Sequence, residues 1–183
     1  MSRRPTDSVG TLTVPVGPED HVKGPVTAGI TLVEYGDFQC PYCREAYPIV
    51  KQLQEKLGAK LRFAFRHFPL TRIHQNAEHA AEAAEAAGAQ GAFWQMHDRL
   101  FERQFALEDE NLVEYARELG LDADRLAGEL AGGTHRGRVR DSFMSGVKSG
   151  VNGTPTFFIN GVRHDGSYDF ATLLAASTSS SRS

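Results

Sequence analysis

The run TLVEYG (31–36) passes through DFQ into CPYC, and CPYC opens a long helical pattern, PYCREAYPIVKQLQEKLG, that stops at Gly58. No other stretch constrains the fold as much. TLVEYG is short and β-rich, as a buried central strand would be. Pro41 takes the first helical position, where its missing N–H costs nothing, while Pro48 lies inside the helix and should kink it. A strand therefore delivers both cysteines of the chain, Cys40 and Cys43, to the start of a helix.

The rest of the chain builds a sheet around that junction. LRFAFRHF (61–68) alternates, with Leu61, Phe63 and Phe65 toward a core and Arg62 and Arg66 on the opposite face. TLTVPV (11–16) suggests a short first strand. From about Ile73 to Gly150 the pattern is helical, and in FWQMHDRLFERQ the residues Phe93, Met96, His97, Leu100 and Phe101 recur at core spacing. TPTFFING (154–161) returns to strand character, Asn160-Gly161 marks a hairpin turn, and SYDFATLLAAS makes a closing helix. Residues 1–10 read as a flexible leader, 11–176 as one domain with a helical insertion at about 73–150, and 177–183 as a disordered tail. The expected class is α/β.

Composition excludes several functions. A chain of 183 residues, 40% hydrophobic and 23% charged, is an ordinary globular one. It can bury roughly 70% of its unfolded surface, so no metal or staple is needed to hold its core. A net charge of −3, with no basic run beyond Arg3-Arg4, makes nucleic acid a poor partner. No apolar stretch approaches the length of a membrane span. The opening MSRRPTDSVGTLTVPVG lacks the apolar core of a secretory signal, so the expected location is cytoplasmic, or periplasmic or extracellular if a leader was removed.

The cysteine pair is a poor stabiliser, since closing so short a loop removes only ~2 kcal/mol of unfolded-state entropy. Its place at a helix start suggests chemistry instead. Unsatisfied N–H groups and the helix dipole favour an anion there, so Cys40 is the natural thiolate and attacking sulfur, and Cys43, one turn further in, the resolving thiol. A bridge between them would be strained and solvent-facing at Cys40, which suits reversible exchange. Two other readings compete. CxxC can be half of a zinc site, but there is no second pair, and His74 and His79 lie thirty or more residues on. Two inert buried cysteines would leave Pro41 and Tyr42 without a purpose. No metal or organic cofactor is expected.

TLVEYGDFQCPYC, FRHFPL, AFWQMHDRLFERQ, ELGLDADRL and SGVNGTPTFFINGVRHDG, taken in this order, resemble the DsbA-like branch of the thioredoxin-fold thiol-disulfide oxidoreductases. The likeness runs from about Pro25 to Leu174. It implies a thioredoxin fold with the helical insertion placed between the central strands and a cis-proline hairpin. It further implies that Thr154 and Pro155 form the loop facing the dithiol, with Pro155 cis, and that an extended substrate pairs with the Thr154 backbone beside Cys40. Pro41 and Tyr42 would line the substrate side. Glu34 falls where related proteins carry a buried acid that manages the proton of Cys43; the alternative is an acid reaching solvent at the sheet end. Tyr42 departs from the histidine often found at its position in strongly oxidising members, which points to a less oxidising pair.

The expected activity is thiol-disulfide exchange with protein or peptide substrates, by a monomer served by a separate redox partner. Two alternatives stay open. CPYC also occurs in glutaredoxins, so a reductase linked to a low-molecular-weight thiol is one. A chaperone-like peptide-binding module with an incidental dithiol is the other.

Overall fold

The structure is a computed structural model describing residues 10–181. Five strands form one sheet in the order β1-β3-β2-β4-β5, where β1 is His21–Lys23, β2 Ile30–Gly36, β3 Leu61–His67, β4 Thr156–Ile159 and β5 Val162–His164. The central β2 pairs parallel with β3 and antiparallel with β4. Between β2 and β3 runs α1 (Pro41–Leu57), ended by Gly58 at a positive φ of 52°. Five helices fill the chain from β3 to β4: α2 (Ala77–Ala89), α3 (Phe93–Glu102), α4 (Asp109–Glu118), α5 (Ala123–Gly132) and α6 (Arg136–Lys148). A last helix, α7 (Phe170–Ser180), closes the chain. No helix among the described residues is long and apolar enough to cross a membrane.

Strand alternation divides the core in two. Leu32 of β2, Phe63 and Phe65 of β3, and Phe157 and Ile159 of β4 pack with Val50 and Leu53 of α1 and Leu173 of α7. The stripe Phe93, Met96, His97, Leu100 and Phe101 of α3 is buried as its spacing predicts. The opposite residues, Val33, Tyr35, Ala64 and Phe158, form a second, smaller core with Phe68 and Phe143. Here α6 comes close, because a Cβ on Gly146 would stand 2.7 Å from the Phe68 ring and 3.0 Å from that of Tyr35.

Three expectations are corrected. β3 is covered on both faces: Arg66 is buried, with Nε and Nη2 donating to the two carboxylate oxygens of Asp20 at 2.7 and 2.9 Å. Residues 11–16 form no strand beyond one bridge from Thr11 to Val162. The carbonyls of Val14 and Pro15 accept from Arg66 instead, which turns this segment into a lid over the second face. Finally, the tail is ordered further than expected. α7 continues to Ser180, with Ser177 buried and the Ser179 hydroxyl donating back to the Ala175 carbonyl. Residues 1–9 of the expected leader and the last two of the tail lie outside the described residues.

Candidate active site

Cys40 is the N-cap of α1, with extended backbone (φ −74°, ψ 123°), and Pro41 is its first helical residue. The extended cap lets Cys40 face Cys43 across the first turn; both are free thiols. Cys43 is fully buried. Cys40 is only 3% exposed, contrary to the solvent-facing position expected of it, because the loop leading into β4, held at the same end of the sheet by the pairing of Tyr35 with Thr156, closes on it. In that loop the Thr154–Pro155 peptide is cis, and the Thr154 carbonyl oxygen accepts from the Cys40 thiol at 3.5 Å. Tyr42, by contrast, is 60% exposed, and Pro41 is exposed beside it.

The two sulfurs are electrostatically unlike. A hydrogen bond from Cys43 draws the Cys40 thiol down to about 6 against the opposing effect of burial, with smaller help from the Thr154 side chain and from the backbone N–H groups of Cys43 and Tyr42. Burial pushes Cys43 well above the ordinary thiol range, and the same hydrogen bond and the Glu34 carboxyl push it the same way. One thiolate is therefore formed near neutral pH, and it sits on Cys40.

Glu34 reaches this pair by strand parity. It lies on the same face of β2 as Leu32, the face that packs on α1, so its carboxyl is buried rather than delivered to solvent at the sheet end. Desolvation, and secondarily the Cys40 thiolate, raise its pKa to about 8. Its neighbour must be glycine: a Cβ on Gly36 would come within 2.5 Å of the Phe65 ring and 3.3 Å of Glu34 Oε1.

Two residues with no expected role hold the loop ahead of Cys40. The buried carboxylate of Asp37 accepts from the Gln39 N–H at 2.7 Å and the Leu70 N–H at 2.8 Å, and it meets His74 Nδ1 at 2.7 Å. The Asp37 N–H in turn donates to Cys43 Sγ at 3.5 Å. Gln104, after α3, donates through Nε2 to the carbonyls of Phe38 and Cys40 at 2.9 and 2.8 Å. Their only signal in the sequence was membership of the motif runs DFQCPYC and FERQ. His79 is engaged elsewhere, with Asp109 at 2.6 Å. Among the described residues, no group of three or more His, Cys, Asp or Glu side chains is placed to hold a metal ion.

Residues 17–176 match the family model described as thioredoxin. The chain belongs to the thioredoxin family. Among solved structures of the fold it is similar to oxidised BdbD from Bacillus subtilis, with a TM-score of 0.85, 22% identity and coverage of 96% of this chain and 98% of that one. A thioredoxin-like oxidoreductase from Silicibacter pomeroyi DSS-3 superposes with a TM-score of 0.81 at 28% identity, covering 91% and 95%. The α-DsbA1 of Wolbachia pipientis gives 0.78 at 20% identity, covering 93% and 94%.

The thioredoxin-family fold with its helical insertion is thus of the DsbA-like kind that the motifs led us to expect. In sequence, the chain is 48% identical over 169 residues to Na(+)/H(+) antiporter NhaA 1 of Salinispora arenicola, a match that takes in 92% of this chain and 26% of the antiporter. The chain thus spans about a quarter of the length of that curated relative.

Proposed function

We propose that this thioredoxin-family chain carries out thiol-disulfide exchange with protein substrates through Cys40 and Cys43. One observation carries the reading: Cys40, capping α1, has its pKa drawn down to about 6, while Cys43, one turn away, is pushed up and left as a protonated thiol. In the reducing direction the Cys40 thiolate attacks a substrate disulfide, and one substrate sulfur leaves as a thiolate. Cys43 then loses its proton and attacks Cys40, which releases the second substrate sulfur and leaves a Cys40–Cys43 bridge. The oxidising direction is the same sequence reversed.

Glu34 takes the Cys43 proton at resolution and returns it on reduction. Thr154 offers backbone to an extended substrate strand beside Cys40, with Pro155, Pro41 and Tyr42 framing the approach. The chain acts as a monomer, and a separate redox partner resets the pair. A Cys40 pKa of about 6 lies nearer the thioredoxin value of about 7 than the DsbA value of about 3.5, which favours a moderately reducing pair over a strong oxidant. Such a pair suits a cytoplasmic location.

Turnover of a disulfide-linked fluorescent peptide tests the reading. Wild type should reduce it with thiol recycling, Cys40→Ser should abolish turnover, and Cys43→Ser should accumulate a mixed disulfide on Cys40. Undiminished activity in Cys40→Ser would reject the proposal.

A further inference from the structure

Phe105 is 83% exposed, more than any other large apolar side chain among the described residues. Its exposure is not that of a loose loop. Phe105 stands in the turn after α3, between Gln104 and Leu107, both of which are buried. The Ala106 N–H donates to the Arg103 carbonyl at 3.0 Å, and the Ala106 carbonyl accepts from the Tyr115 hydroxyl at 2.6 Å. The turn is pinned on both sides of a ring held out to water.

The same turn is tied to the dithiol. Gln104 Nε2 donates to the Cys40 carbonyl oxygen at 2.8 Å, and that oxygen also accepts from the Arg44 N–H at 3.2 Å. Arg44, exposed in the first turn of α1, lays its guanidinium over Phe105, with Cζ 4.6 Å from the ring centroid. Phe105 and Arg44 thus hold a fixed place beside Cys40, whose sulfur faces the Thr154 carbonyl. Two more exposed apolar side chains flank the site: Tyr42, and Ile73 on the loop that Asp37 holds through Leu70 and His74. Single exposed apolar residues are ordinary, but three gathered at one reactive sulfur mark a contact surface. Among the described residues no carboxylate pairs with Arg44, and the adjacent Glu45 meets the Tyr168 hydroxyl at 3.5 Å instead. A planar guanidinium lying over a ring keeps its edge N–H groups free for a two-pronged contact with a carboxylate.

We propose that Phe105 and Arg44 form a substrate subsite of their own, which selects an extended segment of an unfolded protein carrying an apolar side chain next to an aspartate or glutamate, close in sequence to the cysteine under exchange. The inference rests on the exchange reading and names the substrates that site favours. The apolar side chain packs on Phe105, the carboxylate takes the free edge of Arg44, and the substrate cysteine lies at Cys40 with its backbone toward Thr154. A lysine or arginine in place of the carboxylate meets a like charge and is rejected. Pairing with the Thr154 backbone cannot supply this discrimination, because main-chain hydrogen bonds are blind to side chains. Selectivity for sequence therefore comes from the helical insertion and the first turn of α1.

Reduction of two peptides tests the subsite. Each carries one cysteine in a disulfide with 2-mercaptoethanol, flanked on both sides by a leucine–glutamate pair in one peptide and a leucine–lysine pair in the other. Wild type should show a kcat/KM about tenfold higher for the glutamate peptide, and Arg44→Glu should reverse the preference. Phe105→Ser should lower kcat/KM for the glutamate peptide by about tenfold, mainly through KM. The ratio between two peptides on one protein cancels any change in the reactivity of Cys40, so a merely structural effect of Arg44→Glu would not move it. Equal kcat/KM for the two peptides in wild type, or the wild-type ratio persisting in Arg44→Glu, would overturn the subsite while leaving exchange intact. A wild-type protein that reduces neither peptide would reject the exchange reading itself, and the subsite with it.

Discussion

The Cys40 thiol donates to the carbonyl oxygen of Thr154 at 3.5 Å, across 114 residues of chain. A carbonyl cannot stabilise a thiolate, so ionisation transfers Cys40 from that contact to the hydrogen bond offered by Cys43, the largest influence on its pKa. The contact that closes the site and the one that activates it are different.

Cys43→Ala should therefore raise the Cys40 pKa by at least about one unit from its value of about 6. The check is the pH dependence of iodoacetamide alkylation, or of thiolate absorbance, in the reduced protein. An unchanged midpoint would mean that the helix terminus alone sets the reactivity.

Glu34 makes the reduced protein less stable as pH rises. Its folded pKa of about 8 lies above the ordinary 4.5, so between those values the folded state holds a proton that the unfolded state has lost. Relative to Glu34→Gln, wild type should lose on the order of 3–5 kcal/mol between pH 4.5 and 8. Denaturant unfolding of both reduced proteins across this window measures the difference, and parallel stability curves would contradict a buried Glu34.

Asp37→Ala removes the acceptor for two backbone N–H groups and the partner of His74. The cost expected is about 2–5 kcal/mol. Because the same loop leads into Cys40, exchange activity should fall by more than the loss of folded protein explains. Unfolding midpoints and single-turnover rates on the same samples separate the two effects.

Gly146→Ala should destabilise by about 1–3 kcal/mol through overpacking against Phe68 and Tyr35. The Cys40 titration should not move, since Gly146 lies on the other face of the sheet. Thermal unfolding and alkylation measure the two halves of this expectation.

Features encoded locally were legible in the sequence. The strand, the N-terminal proline and the amphipathic pattern around CPYC each speak through neighbouring residues, as do the α3 stripe and the Asn160-Gly161 turn, where both residues have positive φ. Alternation in β3 separated Arg66 from Phe65, yet alternation cannot say whether the second face is covered. That was decided by Asp20, which lies 46 residues away and makes burial of the guanidinium tolerable. The segment 11–16 was misread for the same reason, because its carbonyls serve Arg66 rather than a strand. Asp37 and Gln104 were missed because they bind backbone groups of distant loops, and such partners carry no residue-type signature. The Thr154–Pro155 loop was placed by family resemblance, not by any property of its own residues.

The most direct test of the account is the reduction potential of the Cys40–Cys43 pair, measured by equilibration against graded thiol buffers and trapping of free thiols. The pair should show one reversible two-electron transition, between the thioredoxin and DsbA values of about −270 and −120 mV and nearer the former. The absence of a reversible transition would contradict dithiol exchange as the function of this chain.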